Sequence, residues 1–251
     1  MPDHTRLVRE HLADGSPLPA IPLIISEPIV MHDRDDLPAV RSERPSQRVR
    51  FVWRGATRDP MFVFQNCREP SWERVDVTVE RPLEAAFVME RTRHGPGVIP
   101  STMHQWRDLR VFGNGLLERA FWHRRRDVDE NNEHARFDSV SVYGYTDCAW
   151  LIEGTQSKEH LFTHCRAEGD ATGRAGIRSF GSFQWIGGAM SGNAESCFSL
   201  GPPCDVVRIE GVGCETSARL LTAQGPTGNA YPVLLEQVRF MTDRLHPDGV
   251  M

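Results

Sequence analysis

From Met61 to Phe240 the apolar residues come in short runs separated by Gly, Ser, Asn and Asp, and none of the runs is long enough for a helix. Within them the pattern has a period of two: Val75, Val77 and Val79 alternate with Asp76 and Thr78, and Val207 and Ile209 alternate with Arg208 and Glu210. Alternation of that kind belongs to strands, because successive Cβ atoms of a strand point to opposite faces.

Two series of anchors recur. The first is a small residue followed by a bulky one: Met61-Phe62, Ala86-Phe87, Ala120-Phe121, Ala149-Trp150, Gly176-Ile177, Cys197-Phe198 and Ala218-Arg219. The second begins with a large, usually aromatic residue and has apolar or small residues three and five places on. Its members start at Trp72, Trp106, Phe137, Phe162, Phe183, Cys204 and Leu235. The series interleave strictly, with spacings of 25, 34, 29, 27, 21 and 21 in the first and 34, 31, 25, 21, 21 and 31 in the second. A floor near 21 with insertions above it is expected of a solenoid, whose strands must stack while its turns are free to lengthen. The period of two excludes a helical solenoid, and no L-x-x-L-x-L repeat recurs.

This rung pattern resembles the right-handed parallel β-helix of pectate lyases and phage tailspikes, over roughly residues 20 to 245. The resemblance implies an all-β chain, a parallel β-helix solenoid, with an elongated grooved surface. Ahead of the coils, residues 3–13 form an amphipathic segment with Leu7, Val8, His11 and Leu12 on one side and Asp3 as a cap; a short N-terminal capping helix or a frayed tail fits it. Residues 1–22 are then cap and Pro-rich lead-in, and 23–251 a single β-helix domain. Insertions at 91–103 and 124–135 follow first-anchor strands and should leave the same side of the cylinder. The tail from Thr242 offers no obvious cap, which points to a homotrimer or to a longer chain.

Composition narrows the partners. A net charge of −5 argues against nucleic acid, whose binders carry a basic excess. No run of 18 apolar residues exists, and the first residues lack a secretory apolar stretch, so a soluble, cytoplasmic or virion-associated protein without membrane insertion is expected. Of 29 basic residues only Lys158 is lysine, a bias that fits phosphate or carboxylate recognition or, more simply, a GC-rich coding sequence. The six cysteines form no C-x-x-C pair; Cys165 and Cys197 fall on anchors, as small core hydrophobes or as disulfide partners between coils. No cofactor or metal is expected: His160 and His164 lie four apart on a strand, about 13 Å, too far for one ion.

The catalytic strings of polygalacturonases (N-T-D, D-D, G-H-G, R-I-K) do not assemble here. The only D-D is Asp35-Asp36, and Arg208-Ile209 is followed by Glu210 instead of lysine. The pectate lyase W-x-D-H is absent as well. What is left is vertical stacking. Aligned on the second anchors, the outward row reads Phe112, Tyr143, Glu168, Ala189, Glu210: aromatic, acid, gap, acid. Glu168 and Glu210 would stand two coils apart, about 9.6 Å, which side-chain flexibility brings into the range of an inverting glycosidase pair. Arg166 and Arg208 would grip carboxylates or hydroxyls, or simply pair with the glutamates two residues on. Glu90, Arg124 and Glu153 make a second, ladder-like row. The expectation is a polysaccharide- or oligosaccharide-directed protein, a binder or a depolymerase of hydrolase or lyase type; a structural or adhesion module such as a tail-fibre segment is the alternative.

Overall fold

The computed structural model describes residues 2–35, 37–92, 101–126, 132–154, 157–202, 204, 206–223 and 233–241. The loop tips at 93–100 and 127–131, Asp36 and the tail from Thr242 therefore lie outside the described residues. Among the described residues there is one short helix, Thr5–Asp14, and the regular structure is otherwise strands, all joined in a single sheet whose pairings are parallel. The sheet winds round on itself as a solenoid-like stack of coils.

Each regular coil carries three strand faces. The first face holds the aromatic anchors: the start of Ser71–Val79, the start of Gln105–Arg124, then Arg136–Asp138, His160–Thr163, Phe183–Ile186, Val207–Glu210 and Val233–Glu236. The second runs through Pro22–Ile25, Val49–Trp53, the remainder of Ser71–Val79, the middle of Gln105–Arg124, the start of Ser141–Ile152, Arg166–Glu168, Ala189–Ser191, Gly213–Glu215 and Arg239–Met241. The third stacks Ile29–Arg34, Phe62–Cys67, Leu83–Glu90, the ends of Gln105–Arg124 and Ser141–Ile152, then Ala175–Ser179, Ser196–Leu200 and Leu221–Ala223. What reads in sequence as one long anchor segment is two strands meeting at a corner.

The corner has a cause in the backbone. Two residues after each first-face anchor the chain enters the left-handed region: Arg74, Asp108, Ser139, His164, Gly187, Gly211 and Gln237 have φ between 49° and 69°. Side chains at such positions cost about 1 kcal/mol or more, so a recurrence at one place in every coil is imposed by the stack. A second bend precedes the anchor by three residues, at Glu69, Met103, His134 and Glu159, with φ of 54° to 60°. Between the bends, side chains alternate inward and outward.

The core is two facing aromatic columns. Along the third face Phe62, Phe87, Phe121 and Trp150 lie nearly parallel, 5.0 to 5.8 Å apart. Along the first, Trp106, Phe137, Phe162 and Trp185 are also nearly parallel, 4.7 to 6.4 Å apart, with interplanar angles of 14°, 3° and 14°. Where the columns meet the rings turn edge to face, as for Phe121 on Phe137 at 78°, the geometry that the ring quadrupole favours. All six cysteines are buried, and burial pushes the Cys67 thiol up to about 11 and that of Cys165 up to about 12.

The register corrects the sequence alignment in three places. Phe162 pairs with Trp185, not Phe183. In the next coil Trp185 pairs with Ile209, which in turn pairs with Leu235, so the anchor there is Ile209 and not Cys204. On the third face Phe198 pairs with Leu221 and not Arg219, and the column begins one coil earlier, at Ile29 under Phe62. The slips at Trp185 and Leu221 are of two residues, so inward residues stay inward while vertical neighbours change; the one at Ile209 is of five. At the amino end the helix buries Thr5, Val8, His11 and Leu12 but leaves Leu7 37% exposed. It occupies the free edge of Pro22–Ile25: His4 N donates to the Ile24 carbonyl at 2.8 Å, Ile24 N to His4 Nδ1 at 3.1 Å, and Ser26 N to Thr5 Oγ1 at 3.1 Å. Asp3 accepts from Thr5 N at 3.0 Å, so an unpaired strand edge is covered by a capped helix.

Candidate functional site

The outward row of the second face follows from the register. Thr78 pairs with Phe112, Phe112 with Tyr143, Tyr143 with Glu168, Glu168 with Ser191, Ser191 with Glu215, and Glu215 with Met241. Phe112, Tyr143 and Glu168 are thus vertical neighbours, as the alternation requires. Phe112 and Tyr143 stack with centroids 5.3 Å apart and planes within 9°.

Glu210 is not in this row. It pairs with Ile186 above and Glu236 below, on the first face, across the Gly211 corner from Glu215. The pairing of Phe162 with Trp185 moves the next coil by two, so Ser191 takes the gap assigned to Ala189. In the coil after it Ile209 and not Cys204 is the anchor, five residues on, so Glu215 takes the place assigned to Glu210. Arg208 leaves the row with Glu210. Glu168 and Glu215 are two coils apart, about 9.6 Å between backbones by strand spacing.

Charge on both faces is largely spoken for. Arg166 Nε lies 3.1 Å from Glu168, and Arg208 bridges Glu210 at 2.8 Å and Glu236 at 2.9 Å. One column over, Asp76 receives Arg110 through both Nε and Nη2 at 2.8 Å and Arg48 Nε at 2.6 Å. Glu215 is exposed and has no ion pair among the described residues.

A tighter polar cluster sits on the third face. The Glu90 side chain is fully buried, receiving Arg124 Nε at 2.6 Å, Arg126 Nε at 2.8 Å and Gln65 Nε2 at 2.5 Å. Burial alone would raise its carboxyl; the hydrogen bonds from Arg126, Gln65 and Arg124 outweigh it and hold the group below its ordinary range. Glu90 and Arg124 are register partners and pair, whereas Glu153 Oε2 accepts from the Arg125 backbone amide at 3.0 Å, so of the expected ladder the structure shows the Glu90–Arg124 step. Beside it Trp122 lies between the guanidinium groups of Arg119 and Arg124, 4.7 and 5.0 Å from its ring. Neither the role of Arg126, which falls within the insertion at 124–135, nor the contacts of Trp122 were evident in the sequence.

Hollows lie elsewhere. One of about 450 Å³, lined by Arg54, Thr57, Arg58, Arg81 and Pro82, opens where the second face turns into the third in the early coils. Its Arg54 is tied to Glu80 at 2.5 Å. His160 is buried and His164 exposed at a corner, on opposite sides of the wall. Among the described residues no group of three or more His, Cys, Asp or Glu side chains is placed to hold a metal ion, and no helix is long and apolar enough to cross a membrane. No family model matches the chain, and no curated protein or solved structure matches it either.

Proposed function

We propose that the chain is a right-handed parallel β-helix of the pectate lyase and tailspike type, residues 1–22 capping a single domain of 23–251, whose second face binds an extended polysaccharide. One observation carries the reading. Phe112, Tyr143, Glu168, Ser191 and Glu215 stand in one outward row, with rings at one end, carboxylates at the other and a small hydroxyl between. A sugar chain laid along the coil axis would meet an apolar ring stack first, then acceptors for its hydroxyls, with Arg166 alongside for a carboxylate. Binding is favoured over cleavage because Arg166 already occupies Glu168. In a depolymerase, Glu168 and Glu215 would be the acid pair, with room for a sugar over Ser191.

The paired charges favour a second reading, a structural or adhesion module whose exterior is locked by ion pairs. The two separate in one experiment. Acidic and neutral oligosaccharides are titrated against wild type, Tyr143→Ala, Glu168→Gln, Glu215→Gln and Glu210→Gln, with reducing-sugar and unsaturated-product assays run alongside. Tyr143→Ala should weaken binding about tenfold, from the stacking lost with one ring, and Glu210→Gln should leave it unchanged. Absence of binding to every glycan would leave the structural module.

A further inference from the structure

Inside the corner where the third face turns into the first, three imidazoles meet. His104 and His160 occupy the inward position two residues before the Trp106 and Phe162 anchors, and His123 the one two residues after Phe121; all are at most 1% exposed. The centroids of His104 and His123 are 6.2 Å apart, and those of His123 and His160 only 4.5 Å. In the intervening coil the matching position is Ala135, whose methyl leaves the space that His123 fills.

Phe64, Trp106 and Phe137 ring the group. His104 Nε2 reaches the Cys67 carbonyl at 3.1 Å and Ser101 Oγ at 3.3 Å. His104 Nδ1 and both ring nitrogens of His123 and His160 have no hydrogen-bond partner. The titratable groups around them are one another and, for His160, His134, which faces outward toward Glu159 at 3.1 Å and Glu133 at 3.7 Å; among the described residues no carboxylate pairs with the three rings. Asn132 is the remaining polar neighbour of His123.

We propose that His104, His123 and His160 form an acid-operated latch: neutral rings let the coils between 101 and 163 close over them, and protonation forces that part of the stack open. Among the described residues a charged imidazole here has no counter-ion and stands against one or two others, so the closed form disfavours it. Burial holds His104 down at about 4 and His160 at about 3, and pushes His123 well below its ordinary value, with His160 and His104 adding to the effect. Since all three values are lower in the closed form, the open form binds more protons. Closure is therefore favoured in full above about pH 6.5 and weakens as the pH falls from there toward the depressed values. Each histidine multiplies the opening constant about tenfold per pH unit in that window, and three together about a thousandfold.

The test follows amide hydrogen exchange by segment on the full chain from pH 7.5 to 4.5, corrected for the intrinsic rate, in wild type and in the triple variant His104→Leu, His123→Leu, His160→Leu. Wild type should open between 101 and 163 with a steep acid dependence that the triple variant loses. Should the variant fail to fold, calorimetry of wild type in buffers of differing ionisation enthalpy counts protons taken up on unfolding at pH 5.5; about three more than carboxylates supply are expected. The proposal is overturned by equal acid opening in both proteins, by uptake of less than one such proton, or by imidazole proton resonances of these three residues titrating near 6.5 in the closed protein. A zinc-induced rise in melting temperature that abolishes the acid response would also overturn it, replacing the latch with a metal site.

Discussion

Outside the coils, charge finds its partner; inside one corner, polar nitrogen does not. Arg48, Asp76 and Arg110 interlock on the second face, and Arg208 joins Glu210 to Glu236 on the first. Buried in the corner between the third and first faces, the ring nitrogens of His160 have no hydrogen-bond partner among the described residues, and His123 has only Asn132 as a polar neighbour apart from the other rings. Surface ion pairs are worth little because water would serve each ion nearly as well. A buried unpaired donor or acceptor has no such alternative and costs about 1–3 kcal/mol. The exterior therefore tolerates change, while the interior corner stores sensitivity.

The comparison sharpens first in the aromatic columns. Trp106→Ala, at the crossing of both columns, should lower stability by about 3–5 kcal/mol in urea titration, through lost burial and the cavity left behind. Acid comes next. His104, depressed from 6.5 to about 4, should alone contribute about 3 kcal/mol of stability that is complete above pH 6.5 and is lost as the pH falls toward 4; melting curves across that range give the slope. Corners are intermediate. Gly187→Ala places a Cβ at φ +69° and 3.0 Å from His164, costing about 1–2 kcal/mol, whereas Ser139→Gly in the same corner column should gain up to about 1 kcal/mol in thermal melts. Smallest of all, Arg166→Ala should move stability by less than about 0.5 kcal/mol, since its pair with Glu168 is half exposed. If that surface variant proved as damaging as the interior one, the contrast between wall and corner would be false.

The stacked, parallel, all-β architecture was legible because aromatic residues mark the first face in the middle coils and a small-then-bulky step marks the third. The second face was not seen as separate. Its corner is turned by Arg74 and His164, which give no turn signal, by Asp108 and Ser139, single residues of types that recur throughout the chain, and only later by Gly187 and Gly211. The candidate row was legible as far as Glu168, three coils in succession, and then lost. In the next coil both Phe183 and Trp185 point inward, and Phe183 answers to His160 above it. A histidine looks polar in a sequence, so the inward position at His160 goes unmarked and Phe183 is matched to Phe162 in place of Trp185. One coil on, Cys204 stands in for Ile209 as the anchor, which puts Glu210 where Glu215 belongs. One member of the buried cluster, His160, thus misleads the alignment.

The left-handed bend that returns two residues after every first-face anchor also defines a transferable part. A segment cut from one bend to the next, such as 164–186, contains its own kink, its own anchor and a strand for each wall. A second copy spliced in beside the first would arrive already matched to its neighbours above and below. Length in this protein is in that sense a matter of copy number, and a gene can extend it by whole turns without inventing a new contact.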